Sequence, residues 1–287
     1  MLALGVTGDV GAGKSTLTRF WKEMGASVLD ADEIVRSLWK RPDVIGKAVS
    51  RWGRGVADNG GNILRGEIAA RAFSCAEDYA WLCGLLHPLV RIEMERISAS
   101  LEGWVVAEIP LLFEGGVPEW IDATVYLAAP EEKRRDRNSV RGWDGKEILR
   151  RESFLLPSEE KKRRADMVLE NTGTLEDLRE TAGKKALFFR RLSGLVRYTV
   201  TFQRYEDALL YRDFLWKERL GSDFHCFRSD TMEKNTENWL VSFISRESFF
   251  AGLSRPHVMD RARGPYTATI RRMPYKRRIA LSEELAQ

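Results

Sequence analysis

The sequence predicts an α/β fold: a parallel sheet covered by helices on both faces, followed by a smaller α+β domain. Three observations predict it. Short apolar runs alternate with helical patterns through the first two thirds of the chain, the signature of βαβ units. A glycine-rich turn joins the first apolar run to the first helical pattern. The charge is also uneven: from Val196 onward basic residues outnumber acidic ones by four, which is the whole formal net charge of +4 on the 287 residues. That asymmetry sets a boundary near Ser193-Gly194 and two domains, 1–194 and 195–287.

The elements follow in order. Leu2–Val6 is an apolar strand, Lys14–Met24 a helix stopped by Gly25, and Ser27–Asp30 a second strand. Helical segments are expected around 32–40, 43–52, 64–73 and 77–101, the last breaking at His87-Pro88. Trp104–Ile109 and Thr124–Ala128 are near-continuous apolar runs, as strands buried on both faces require, and Asp166–Leu169 is a shorter one. Residues 131–164 are dense in both charges and read either as a solvated helical pair or as a helical lid carrying arginines over bound phosphates. Cys75, Cys83 and Cys226 are scattered without metal-ligand spacing, and no run approaches the ~20 apolar residues that span a bilayer. With no signal-like start, a cytoplasmic protein in a reducing compartment is expected, without a membrane partner.

The segment Gly8-Asp9-Val10-Gly11-Ala12-Gly13-Lys14-Ser15 matches G-x-x-x-x-G-K-[ST] between a strand and a helix. Its glycines let backbone N–H groups turn inward as an anion nest, and the helix N-terminus adds partial positive charge. Lys14 would reach the β- and γ-phosphates of ATP, and Ser15 would hold Mg²⁺. Asp30-Ala31-Asp32 lies where the second strand ends, at the sheet edge that carries the loop. A carboxylate there can take the proton of an attacking hydroxyl. Either aspartate could instead cap the following helix. The fold is thus of the P-loop NTPase type.

Together with VTGDVGAGKS, the segments SVLDADEIVR, LLHPLV, EIPLLFE and ADMVLENTGTLEDL, in that order over residues 1 to about 190, resemble the dephospho-CoA kinase family. The resemblance implies transfer of the γ-phosphate of ATP to the ribose 3′-hydroxyl of dephospho-CoA. It implies Asp32 as the catalytic base with Asp30 as its companion, and Gly8 and Gly11, Ala12, Gly13, Lys14, Ser15 and Thr16 around the phosphates. Arg65, His87, Pro88 and Leu112 would serve the acceptor. Arg137 and Arg141 would be lid arginines on one helix face, Arg141 catalytic, and Asn171 and Gly173 would form a turn beside the adenine. Asp9 stands where the family usually has glycine, and its side chain is expected to point outward. Gly142-Trp143 replaces an Asp-Gly turn, and Leu155 stands where a lid glutamine is common.

Two readings of other classes remain. Trp104–Glu108 could be a Walker-B-like strand ending in an acid, which would suit an ATPase or switch. The chain could also be an ATP-gated module whose output is its last third. There, Val196–Phe202, Phe224–Arg228, Trp239–Ile244 and Tyr266–Arg271 read as strands, and Tyr205–Leu220 and Glu247–Ala262 as helices. That is β-α-β-β-α-β, a ferredoxin-like order. Arg261–Arg278 is basic without an acid, with Tyr266 and Tyr275 interleaved. A solvated edge or oligomer contact is the preferred reading over a nucleic-acid or acidic protein partner.

Overall fold

The computed structural model describes residues 2–140, 142, 145–217, 222–228, 239–246 and 270–274. The chain divides into two compact units, one built on Ala3–Leu187 and the other beginning at Phe188.

In the first unit five strands lie in the order β2-β3-β1-β4-β5. They are β1 (Leu2–Gly8), β2 (Ser27–Asp30), β3 (Trp104–Glu108), β4 (Ala123–Ala128) and β5 (Met167–Glu170), and the pairs β2·β3, β1·β4 and β4·β5 are parallel. Every residue of β1, β3 and β4 is buried, whereas β5 alternates buried and exposed. The unbroken apolar runs therefore mark the three central strands, and the weaker runs mark the edges. Asp166 fastens one edge: its Oδ2 accepts from the N–H and the hydroxyl of Thr124, both at 2.7 Å.

Helix α1 (Lys14–Glu23) buries Leu17, Phe20 and Trp21, and the Trp21 indole donates to the Ala182 carbonyl at 3.0 Å on α9 (Leu175–Ser193). Helices α2 (Ala31–Leu38), α3 (Pro42–Trp52), α4 (Arg65–Ala72) and α5 (Ala76–Ser98) follow β2. The break expected at His87-Pro88 does not occur. Helix α5 runs through Pro88, and the residue four positions earlier, whose carbonyl a proline ring crowds, is Gly84. The charged stretch forms three helices, α6 (Glu131–Ser139), α7 (Gly145–Glu152) and α8 (Ser158–Arg164).

The second unit carries β6 (Leu195–Phe202), α10 (Tyr205–Lys217), β7 (Ser222–Arg228), β8 (Trp239–Arg246) and β9 (Ile270–Pro274). Its sheet order is β7-β8-β6-β9 with all pairs antiparallel, the ferredoxin-like strand order. Val200, Phe202, Ala208, Tyr211, Leu215 and Val241 form its core. The expected helix at 247–262 lies outside the described residues. So do Tyr266, Tyr275 and most of the basic segment 261–278, including the start of the expected 266–271 strand.

Candidate active site

The register brings the chemistry to one edge. Asp30 pairs with Glu108 and Gly8 with Leu127, so the loop after β1, the aspartates after β2 and the acid ending β3 all emerge at the C-terminal end of the sheet. The loop itself is held from outside. Arg137 on α6 donates Nη1 to the carbonyls of Gly11 and Ala12, both at 3.1 Å, and Asn171 Nδ2 donates to Ala12 at 2.8 Å. Those bonds turn the Gly11 and Ala12 carbonyls toward α6 and Asn171, away from the side on which a nest would hold a phosphate. The glycines are required by this packing. A Cβ on Gly8 would sit 2.4 Å from the Leu127 carbonyl oxygen, and on Gly11 (φ +79°) or Gly13 (φ +99°) it would sit 2.7 Å from an amide nitrogen of Asn138 or Asn171.

Lys14 donates to the carbonyls of Gly8 at 2.9 Å and Asp9 at 3.0 Å. Burial pushes its ammonium pKa down, while the carboxylates of Glu108, Asp32 and Asp9 oppose that shift. Ser15 donates to Glu108 Oε1 and Thr18 to Glu108 Oε2, each at 2.7 Å. Glu108 is buried, and both of its oxygens are engaged by hydroxyls, as burial of a carboxylate demands. The sequence alone suggests Glu108 only as a Walker-B-like acid, and no motif marks Thr18. The signal was present, since an acid ending the strand next to β1 must arrive beside the loop.

The two aspartates divide their work. Asp30 is the N-cap of α2, its Oδ1 accepting from the N–H groups of Asp32 at 2.8 Å and Glu33 at 3.2 Å. Asp32 lines a cavity of about 430 Å³ together with Lys14, Ser15, Glu108 and His87. The apolar wall of that cavity includes Phe73, Tyr79, Leu86, Leu111 and Leu155. Arg151 on α7 stands 4.7 Å over the Phe73 ring, and Phe73, Tyr79 and Phe154 stack together.

Three residues expected at the acceptor side lie elsewhere. Leu112 is buried, 3.0 Å from where a Cβ on Gly5 would stand, and its neighbour Leu111 lines the cavity instead. Pro88 is exposed on α5, and Arg65 is exposed as the first residue of α4, so neither lines this cavity. On the other side of the loop a pocket of about 340 Å³ is lined by Gly13, Thr16, Arg137, Asn171 and Thr174. Gly173 adjoins it without lining it. Its carbonyl accepts from Lys133 at 2.7 Å, and a Cβ there would stand 2.4 Å from Asp177, in the first turn of α9, whose Oδ2 accepts from the Thr174 N–H at 2.7 Å. Arg141 and Trp143 lie outside the described residues.

Asp9 does not point outward. It is buried, with Oδ2 accepting from the Tyr126 and Ser158 hydroxyls, each at 2.6 Å, and Oδ1 3.5 Å from Lys161 Nζ. Burial alone would raise its pKa. The bonds from Ser158 and Tyr126 and the Lys161 charge outweigh that and hold it below the usual aspartate value. A carboxylate this close to a phosphate nest is tolerable because it turns its charge to the far side.

Ser15, Glu108 and Asp32 supply hard oxygen donors, and the described residues contain no cluster of three acidic, His or Cys side chains that would hold a metal alone. That donor set suits Mg²⁺, which takes one or two protein carboxylates and completes its shell with water and phosphate oxygens.

The family model for dephospho-CoA kinase matches residues 2–177. A Deinococcus radiodurans dephospho-CoA kinase is 44% identical over 180 residues, covering 61% of this chain and 86% of the relative. One from Corynebacterium diphtheriae is 36% identical over 188 residues, covering 63% and 94%. A crystal structure of TT1252 from Thermus thermophilus superposes with a TM-score of 0.53 at 37% identity, over 65% of this chain and 96% of that one.

Proposed function

The chain belongs to the dephospho-CoA kinase family, and from that premise we propose how the residues at its sheet edge carry the reaction. The enzyme transfers a phosphoryl group from ATP to a hydroxyl, the ribose 3′-hydroxyl of dephospho-CoA, giving coenzyme A. The observation that carries the reading is the convergence of Lys14, Ser15, Glu108 and Asp32 on one cavity whose remaining wall is mostly apolar and aromatic, with His87 and Arg151 among it.

The loop amides bind the phosphates, and Lys14 neutralises the charge that develops on the transferred group. Mg²⁺, held through Ser15 and Glu108, would screen the phosphate charge. Asp32 receives the acceptor's proton as the new bond to phosphorus forms. The aromatic wall, with Arg151 and His87, takes the acceptor, and Arg137, Asn171 and Thr16 take the nucleotide side. Arg141 keeps its expected lid role as a proposal. The kinase domain is proposed to span 1–194. The 195–287 domain is proposed to be a separate module with a solvated basic edge. Three free cysteines support a reducing, cytoplasmic setting.

One observation favours a second reading. Glu108, bonded to Ser15 and Thr18, has the place an ATPase would use for its Walker-B acid. ADP formation measured with and without dephospho-CoA separates the two. The kinase reading expects turnover that depends on the acceptor. Equal hydrolysis without it would overturn that reading in favour of the ATPase.

A further inference from the structure

Asp9 joins two systems that the mechanism treats separately. Through its backbone carbonyl it accepts from Lys14 Nζ at 3.0 Å and from the Ala12 N–H at 3.1 Å. Through its side chain it accepts from Tyr126 on β4 and from Ser158 on α8, each at 2.6 Å, and faces Lys161 on α8. Lys161 is 1% exposed and lies 3.4 Å from Glu114, whose Oε1 also accepts from the Leu156 N–H at 3.1 Å. The segment that ends the lid is therefore fastened at one point to the phosphate loop and at another to the turn after β3.

The bonds are arranged so that the side chain fixes the peptide. Both hydroxyls converge on a single oxygen, Oδ2, which sets the side-chain rotamer. That rotamer and the bond from Ala12 set the direction of one of the two carbonyls on which Lys14 rests, the other being that of Gly8. Removing the side chain frees the backbone at position 9 as well, because glycine explores conformations that aspartate does not. The lysine that must meet the transferred phosphoryl would then lose a fixed reference point.

We infer that Asp9 is a positioning residue: it sets the resting place of Lys14 and couples it to the seating of α8 at the end of the lid. The inference rests on the reading of Lys14 as the phosphate-binding group. Asp9 is not among the residues lining the cavity that Lys14, Ser15 and Asp32 share, and it acts through Lys14.

The test compares Asp9→Gly, Asp9→Asn, Ser158→Ala and the Asp9→Gly/Ser158→Ala double variant by kcat, by KM for ATP and by thermal unfolding. Misplacing a group that acts on developing charge lowers kcat more than binding, so Asp9→Gly is expected to lose about tenfold or more in kcat with less than about threefold change in KM. Asp9→Asn keeps an oxygen that can accept both hydroxyls and is expected to stay within about threefold of wild-type kcat. Residues of one network couple, so adding Ser158→Ala to Asp9→Gly is expected to cost less than about twofold more. A merely structural Asp9 would lower the unfolding temperature and leave kcat alone, and that result overturns the inference. So do kcat losses that simply multiply in the double variant, or an asparagine variant as slow as the glycine one, which would assign the effect to charge. Should Asp9→Gly fail to fold, Ser158→Ala carries the test, since it leaves Asp9 and its charge in place. A kcat loss of about threefold or more without an equal rise in KM is then expected, and wild-type kcat overturns the inference. Turnover independent of acceptor in the wild type strikes the functional reading instead, and the same kcat comparison can still be made on ATP hydrolysis.

Discussion

The proposed donor and acceptor sides of the cleft share one sheet edge but are made of different material. On the donor side the binding groups are backbone amides, fixed by outward bonds from Arg137 and Asn171 and by glycines with no room for a side chain. On the acceptor side they are side chains from four separate segments: Asp32 on α2, Phe73 after α4, Tyr79 and His87 on α5, and Leu111 after β3. A nest made of backbone recognises phosphate and little else. A wall made of side chains can choose among acceptors. Phosphate chemistry is thus expected to be sensitive to small changes on the donor side, and acceptor affinity to larger ones on the other.

The strongest challenge to that contrast is Lys14→Ala. Lys14 is the side-chain charge proposed to meet the transferred group, so its loss is expected to cost on the order of 10³-fold in kcat, at the upper end for a single electrostatic group. The melting temperature should hold, because its partners are carbonyls that water can serve. A variant with normal melting and more than about a tenth of wild-type turnover would mean that the nest alone stabilises the transition state. Asp32→Asn follows. It should bind ATP normally, since the loop and Ser15 are untouched, yet lose about 10²-fold in acceptor-dependent phosphorylation, the scale of a positioned base. If acceptor dependence persists at near-full rate, Asp32 is not the base.

The contrast also explains what the sequence made legible. The loop could be read directly because its function is local: spacing, glycine and a strand–helix junction are all contained in eight residues. The central strands were equally plain, since burial on both faces leaves a continuous apolar run. The acceptor wall was not, because the register of an irregular segment after β3 decides whether Leu111 or Leu112 meets the cavity. Pattern alone does not set that choice. In the sequence Pro88 marks a helix break because proline usually makes one, yet α5 continues through it with Gly84 one turn back. The place of Asp9 is illegible for a related reason. An acid in a phosphate loop looks as if it must flee to solvent, and only the fold supplies Tyr126, Ser158 and Lys161. Asp30 resolved to the cap that its position always allowed.

A smaller effect sharpens the acceptor half. Tyr79 belongs to the apolar wall and stacks with Phe73 and Phe154 at ring-centroid distances of 5.4 and 4.7 Å. Tyr79→Leu keeps an apolar surface but removes the stack, so KM for dephospho-CoA is expected to rise about threefold to tenfold, the scale of one aromatic contact. KM for ATP should not move. Steady-state kinetics with each substrate varied in turn reads this out. A rise in both would join the two sides and break the contrast.

The smallest expected effect concerns pH, and it too falls on the acceptor side. His87 is partly buried on α5. Burial pushes its imidazole pKa below the ordinary value, the Arg91 charge adds to that, and Glu114 opposes it. The folded protein therefore prefers the neutral ring more than the unfolded chain does. As pH falls through about 6.5, the unfolded chain binds a proton before the folded one, so stability declines with acidification; above that pH the term is fully present. On the donor side Asp9 is held below the usual aspartate range, so its own contribution is lost only at far lower pH. Between pH 8 and 5.5 the two sides should then differ: the acceptor side titrates and the Asp9 network does not. His87→Gln keeps a polar side chain that carries no proton to exchange. Urea midpoints at the two pH values are expected to fall more for wild type than for His87→Gln, by a margin that the opposing Glu114 keeps small. Asp9→Asn, measured the same way, should track wild type across this range. Equal falls for wild type and His87→Gln would mean that the imidazole titrates alike in both states, and that the proposed acceptor cavity does not desolvate it.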